Sequence, residues 1–343
     1  MKVYFIFEFT VQPKGGVFQF TKALKNYLQN NNHVTEDPNE ADIFFMSASQ
    51  YTKRVLSLKR QYPDKLFIHR IDGPIRLYNR MNDRRDLVVN ILNLYLSDGT
   101  IFQSNWSKKQ NVKMGLASSK FETTIINSPN PDIFNKQNKK YFNKNNKIKL
   151  IATSWSSNIK KGFEVYKWMD ENLDFSKFEM TFVGNSPFNF KNIILKEPMD
   201  SINLSSELKE HDVFIFASQI EACSNALLEA MHCGLPALVL DSSSNPEIVN
   251  KGGLLFKNCN EIPYKLDLIV KNYEEYQKNI NLPTINEVGE LYYEFLTSIY
   301  NEKENGSYKP KNPTLFDCLK IRSYIVLWNL EEKLYAIKRR IFK

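Results

Sequence analysis

Long apolar runs, clustered cysteines and a leader segment are what this 343-residue chain is short of. No stretch of about 18 apolar residues is present, which excludes an ordinary membrane-spanning helix. The start, Met1-Lys2-Val3-Tyr4-Phe5-Ile6-Phe7, turns polar too soon for a signal peptide and reads as a first strand. Cys223, Cys233, Cys259 and Cys318 are scattered, without CxxC or His-Cys pairing. That spacing argues against a disulfide framework or a zinc site and for reduced thiols in a cytosolic protein. No DxD-like acidic pair stands at a fitting strand end, so no metal site is read. Nor is there a short internal repeat.

Apolar residues make up 42% of the chain, enough for two domains with full cores. Asn, Lys and Ile are abundant, which we attribute to the base composition of the genome. The net charge is +8, but residues 306–343 alone hold nine Lys or Arg against Asp317, Glu331 and Glu332. Basicity concentrated in a tail argues against a general nucleic-acid-binding surface.

The richest segment is Glu221-Ala-Cys-Ser-Asn-Ala-Leu-Leu-Glu229, continuing Ala-Met-His-Cys-Gly-Leu-Pro236. Apolar runs precede it (213–217) and follow it (237–240). Strand, loop, helix, turn and strand in that order mark a parallel α/β sheet, where ligands sit off the carboxyl ends of strands. A helix starting near Ser224 or Asn225 offers unpaired amides and a positive dipole end to a diphosphate. Glu221 precedes that helix and can accept from sugar hydroxyls; Glu229, a turn inside, can reach a ribose. Eight helical residues span roughly 12 Å, comparable to the reach of a nucleotide sugar. As a bare spacing, two surface glutamates on an amphipathic helix would be the better reading; the flanking strands and the Gly-Leu-Pro weigh against it.

These residues resemble the group 1, or family 4, set of retaining glycosyltransferases, whose Glu-x7-Glu motif precedes a Gly-x-Pro. Glu221 and Glu229 match the glutamates, Gly234 and Pro236 the Gly-x-Pro, and the likeness runs over roughly residues 1–300. The resemblance implies the GT-B architecture, two Rossmann-like α/β domains facing a central cleft. It also implies metal-independent transfer from a nucleotide-diphosphate sugar, UDP- or GDP-linked, with retention, and no resident cofactor. The donor would lie mainly on the C-terminal domain and the acceptor, a cell-surface glycan or lipid-linked sugar, on the N-terminal one.

Two sets of alternating elements fit this. Strands are expected at 3–7, 43–46, 66–69, 100–103 and 124–126, with a helix over 17–29, in a domain of residues 1–134. The Lys/Asn-rich stretch 135–147 reads as a linker. A second domain, 148–302, has strands at 148–153, 180–183, 213–217, 237–240 and 254–256, and a helix at about 287–300. Residues 303–343 form a basic tail with Leu319, Val326, Leu327, Leu330, Leu334, Ile337 and Ile341 on one helical stripe. Either it packs on the body, or it lies on the inner face of an anionic cytoplasmic membrane; concentrated charge favours the membrane.

The resemblance distributes further roles. Gly15 and Gly16 fall in the first βα turn, where glycine permits close approach to donor phosphate or sugar. His69, at an expected strand end, is the candidate to face the donor sugar, although it could equally satisfy a turn. Lys161, in Lys160-Lys161-Gly162, matches the lysine that meets the diphosphate as leaving-group charge builds. The family's Arg about five residues earlier is absent; Ser154-Trp155-Ser156-Ser157 stands there, leaving Lys160 to compensate. Gly184 ends a strand near the nucleotide, Glu197-Pro198 borders the base, and Ser218, Cys223, Ser224, Asn225 and Ala226 complete the donor loop. Arg70, Asp72, Arg76 and Arg80 are acceptor-side candidates, since Arg76, Arg80 and Arg84 would share a helix face. A solvated face is the plainer reading of those arginines. Asn127-Ser128-Pro129-Asn130 is read as structural and Glu247 as a helix-terminal residue. Rival readings are a catalytically silent sugar-nucleotide-binding scaffold, or a nucleotide-sugar epimerase or hydrolase.

Overall fold

Every strand among the described residues lies in one of two wholly parallel sheets, and most are apolar over nearly their whole length. A parallel strand covered on both faces needs no polar alternation, so such a run is what its sequence should show. The computed structural model describes residues 1–9 and 16–341. The first sheet runs in chain order through β1 (Val3–Phe5), β2 (Ile43–Ser47), β3 (Leu66–Ile71), β4 (Gly99–Phe102) and β5 (Phe121–Thr124). The second contains β6 (Ile148–Ser154), β7 (Phe178–Gly184), β8 (Ile194–Lys196), β9 (Val213–Phe216), β10 (Ala237–Leu240) and β11 (Gly253–Phe256), in the order β11-β10-β9-β6-β7-β8.

The chain divides into two units around these sheets: Met1–Glu8, Lys25–Ile125 and Gly289–Lys343 form one, Phe9–Leu24 and Ile126–Val288 the other. This departs from the expected 1–134, 135–147, 148–302 and 303–343. Residues 135–147 are not a free linker: Phe142 stacks on Tyr273 with ring centroids 3.8 Å apart, and Lys140 N–H donates to the Lys209 carbonyl at 3.0 Å. One buried aromatic contact outweighs the solvating tendency of the surrounding lysines.

The last 55 residues, 289–343, return to the first unit. On one sheet face Phe45 meets Tyr292, and a Cβ on Gly99 would come within 2.5 Å of the Ile299 side chain, so the helix Ile285–Glu304 packs hard against β4 there. On the other face Cys318, Ile321 and Ile325, from the helix Leu315–Ile341, join Phe44, Phe67, Val55, Val88 and Leu92 in one core. The strap between the helices is stitched down by buried Asp98: it accepts from Tyr308 OH at 2.9 Å and from Lys311 N–H at 2.7 Å. Lys59 lies 3.8 Å from the same carboxylate, and both side chains are buried. Burial pushes Lys59 down to about 8 and Asp98 up, as expected when desolvation works against both charges.

In the second unit the two cores alternate along each strand. Leu150 and Ala152 of β6, with Val213 and Ile215 of β9, face one cluster; Ile151, Phe214 and Phe216 face the other. Parallel pairing of β6 with β7 and with β9 puts their carboxyl ends along one edge of the sheet.

Candidate active site

The order β9-β6-β7 contains a reversal. The chain goes outward from β6 to β7 and β8, then returns to place β9 on the other side of β6, where Leu150 pairs with Val213 and Ile151 with Phe214. Loops leaving β6 and β9 therefore part at this point, and in open α/β sheets ligands bind at such a switch.

Lys161 comes from the loop after β6 and Glu221 from the loop after β9. Their side chains meet, Nζ to Oε1, at 2.5 Å. Ser218 Oγ donates to the same oxygen at 2.7 Å. The two loops are also tied by backbone, Gln219 N–H to the Lys160 carbonyl at 2.8 Å. A single turn, Ile159–Lys161, delivers the lysine and ends on Gly162 at φ +89°, capped at its start by Asn158. A Cβ on Gly162 would stand 2.2 Å from the Ala217 carbonyl oxygen, so both the left-handed backbone and the close approach to β9 require glycine. Glu221 is held from behind: Ser243 Oγ accepts from its N–H at 3.0 Å, and buried Asn245 donates to the Ser218 and Leu240 carbonyls at 2.9 and 3.1 Å.

Next along the chain, Ser224 caps the helix Asn225–His232 by accepting from Leu227 N–H at 3.3 Å. The amides of Asn225 and Ala226 precede the first intrahelical bond and stay open to a ligand. Asn225 is itself oriented by Asn127, whose amide donates to Oδ1 at 2.9 Å, so the stretch read as structural positions a candidate residue. Cys223 is buried in the core, its sulfur accepting from Asn127 N–H at 3.4 Å.

Glu229 lies one turn inside this helix and lines a pocket with Asn225, Ala226, Thr153, Ser154, Trp155 and Gly184. Val183, Pro198, Met199, Ser201, Leu204 and Gln19 complete the wall. Its carboxyl has no hydrogen bond or ion pair among the described residues, and burial alone pushes its pKa up to about 8. A half-buried acid without a partner among the described residues is costly, and ligand hydroxyls would relieve that cost. Gly184 ends β7 at φ +125°, where a Cβ would collide with the Ser154 carbonyl oxygen at 1.9 Å. The sequence reading missed Gln19, Thr153, Met199, Ser201, Leu204, Ser243 and Asn245. Met199 and Leu204 carry no chemical signal, and Ser243 and Asn245 act through backbone geometry rather than a motif. Trp155, seen only as a missing Arg, is 57% exposed at the pocket.

Gly15 and Gly16 belong to the second unit, and the remaining candidates, His69, Arg70, Asp72, Arg76 and Arg80, to the first. Gly15 lies outside the described residues, and Gly16 opens the helix Gly16–Asn30. His69 is not at a strand end: β3 continues to Ile71, and the ring is fully buried. Its Nε2 lies 2.9 Å from the Ala48 carbonyl oxygen and its Nδ1 3.2 Å from Asn93 Oδ1, and burial lowers its pKa to about 4. The ring therefore offers a ligand no surface, which corrects its reading as donor-facing. Arg70 is fully buried and pairs with Asp72 at 3.3 Å; Gln103 also donates to Asp72. The arginines do not share a helix face, because the short helix Ile75–Tyr78 ends before Arg80. Each meets a carboxylate instead: Arg76 Asp86 at 3.0 Å, Arg80 Glu332 at 2.5 Å and Arg84 Glu331 at 3.1 Å. Among the described residues no group of three His, Cys, Asp or Glu side chains could hold a metal ion.

Residues 135–281 match the family model described as glycosyl transferases group 1, a segment that lies within the second unit and includes Lys161, Glu221 and Glu229. No curated protein matches the chain by sequence. Among solved structures, the chain is similar to HepE from Anabaena in complex with UDP-glucose (TM-score 0.59, 13% identity, 89% of this chain and 98% of that one). It is also similar to WaaG, a glycosyltransferase involved in lipopolysaccharide biosynthesis (0.59, 10%, 87% and 100%). A third is TarM of S. aureus (0.57, 15%, 81% and 57%), of which the chain spans little more than half. The fold is that of the two-domain GT-B glycosyltransferases.

Proposed function

We propose that the chain is a retaining, metal-independent glycosyltransferase that moves a sugar from a UDP- or GDP-linked donor to a hydroxyl of a cell-surface glycan or lipid-linked acceptor. The observation that carries this is the meeting of Lys161, Ser218 and Glu221 at the β6/β9 switch, on the same sheet edge as an open helix start and an unpartnered Glu229.

In this reading Lys161 and the Asn225 and Ala226 amides face the diphosphate. Charge develops there as the C1–O bond to phosphate breaks, so these fixed donors act on the transition state more than on the ground state. Glu221 orients the sugar and Glu229 accepts from the ribose. The acceptor oxygen attacks C1 from the face the leaving group departs, and the leaving phosphate oxygen takes the acceptor's proton. Neither glutamate is assigned as a covalent nucleophile, which sets the scheme apart from double displacement. The basic tail would hold the protein against the inner face of an anionic membrane.

The test follows slow donor hydrolysis, water standing in for acceptor, by NMR with UDP- and GDP-sugars. Retention expects the first-formed free sugar to keep the donor's anomeric configuration and the rate to collapse in Lys161→Ala. The opposite anomer would overturn retention. Binding without turnover, with or without glycan acceptors, would favour the scaffold reading, to which the serine-rich loop Ser154–Ser157 lends itself.

A further inference from the structure

The helix Leu315–Ile341 has two apolar faces, and only one of them is used. Cys318, Ile321 and Ile325 are buried in the first unit's core. On another face Leu319, Val326, Leu330, Leu334 and Ile337 recur at spacings of three, four and seven and are all exposed, Leu334 at 61%. Five large aliphatic side chains in one exposed row are more than scattered surface apolarity accounts for. Beside the row, Lys53, Arg60 and Arg322 rim a groove floored by Leu56, Ile325 and Val326. None of the three cations has an ion pair or hydrogen bond among the described residues, whereas Arg80 and Arg84 nearby in sequence are neutralised by Glu331 and Glu332. Exposed Lys333 lies on the same flank of the helix as Arg322.

We propose that this face of the first unit docks on an anionic phospholipid surface. The groove cations take lipid phosphates, and the row from Val326 to Ile337 enters the headgroup boundary. The inference deepens the membrane placement proposed above and is independent of the transfer chemistry. An apolar stripe with cations on its flank is the arrangement that interfacial helices use. A second copy is a poorer occupant, because pairing the stripe with itself would bring the same unpaired cations together. The buried face fixes the helix on the body, so the helix itself need not be ordered on docking.

The full chain is floated with vesicles of phosphatidylcholine alone and of phosphatidylcholine with phosphatidylglycerol. Wild type is expected to float only with the anionic vesicles and to be released by salt. Replacing Lys53, Arg60 and Arg322 together by Gln should weaken binding on the order of 100-fold, from about 1 kcal/mol for each cation. Leu330→Ser with Leu334→Ser should abolish flotation without loss of fold, since neither side chain is buried. Equal binding to neutral vesicles, or unchanged binding by the Gln variant, would overturn the proposal. So would concentration-dependent dimerisation, by light scattering, that the Ser variant removes. Binding of UDP- and GDP-sugars is measured on the same samples: absence of both alongside intact flotation would sink the enzyme reading and leave docking standing, and the converse would do the reverse.

Discussion

Glu229 is the residue on which most turns. Desolvation pushes its carboxyl up to about 8 in the free protein, and no cation among the described residues offsets it. Ribose hydroxyls donate, so they favour the ionised form. Donor affinity should therefore rise as pH climbs toward 8 and level off above, with proton release on binding near pH 7. Calorimetry in buffers of different ionisation enthalpy reads that proton directly; affinity that falls with pH would refute the assignment. Lys161→Ala should lower kcat about 100- to 1,000-fold with a smaller change in KM, since its charge is needed most as the diphosphate leaves. Gly162→Ala should do comparable damage, read as lost activity and a lower unfolding midpoint, because both its φ and the Ala217 carbonyl forbid a Cβ. The motif glutamates and Lys161 could be singled out in the sequence as candidates because the proposed chemistry calls for those side chains. Asn245 and Ser243 could not, because they hold loops through backbone contacts that no spacing announces.

Elements were legible in proportion to how completely they are buried. β10 falls at the expected 237–240, and β6, β9 and β11 within a residue or two, as continuous apolar runs dictate. β5 sits three residues earlier than expected and β8 was missed; both are edge strands, half-buried or exposed, with no apolar core to mark them. The tail stripe was read from its period, but the period alone does not say which of two apolar faces packs inward. Ile321→Ala should cost about 2–5 kcal/mol in chemical denaturation as a core cavity, whereas Val326→Ala should stay within about 0.5 kcal/mol. Equal losses would mean the docked face is misassigned. Histidines add an acid limb. His69 and His232 are lowered by burial from 6.5 to about 4, so their contribution is present above pH 6.5 and drains away as pH falls toward 4. His69→Gln should flatten the urea-midpoint profile there by up to about 1.4 kcal/mol per pH unit.

At the scale of the whole molecule, two parallel-sheet units were expected and two are present, but their chain composition was not legible. The sequence pattern marks where helices and strands lie; it does not say that residues 289–343 close the first unit. That assignment depends on contacts more than two hundred residues apart, such as Tyr308 and Lys311 on Asp98. The family match, by contrast, is confined to residues 135–281, the stretch that holds Lys161, Glu221 and Glu229. The central claim is that the second unit takes a nucleotide-diphosphate sugar at the β6/β9 switch. Calorimetric titration of the full chain with UDP- and GDP-sugars, without added metal, tests it most directly when wild type is run beside Glu229→Ala. Saturable binding to one nucleotide class that the substitution abolishes is the expected result. Binding of equal strength in both proteins, or none in either, would contradict it.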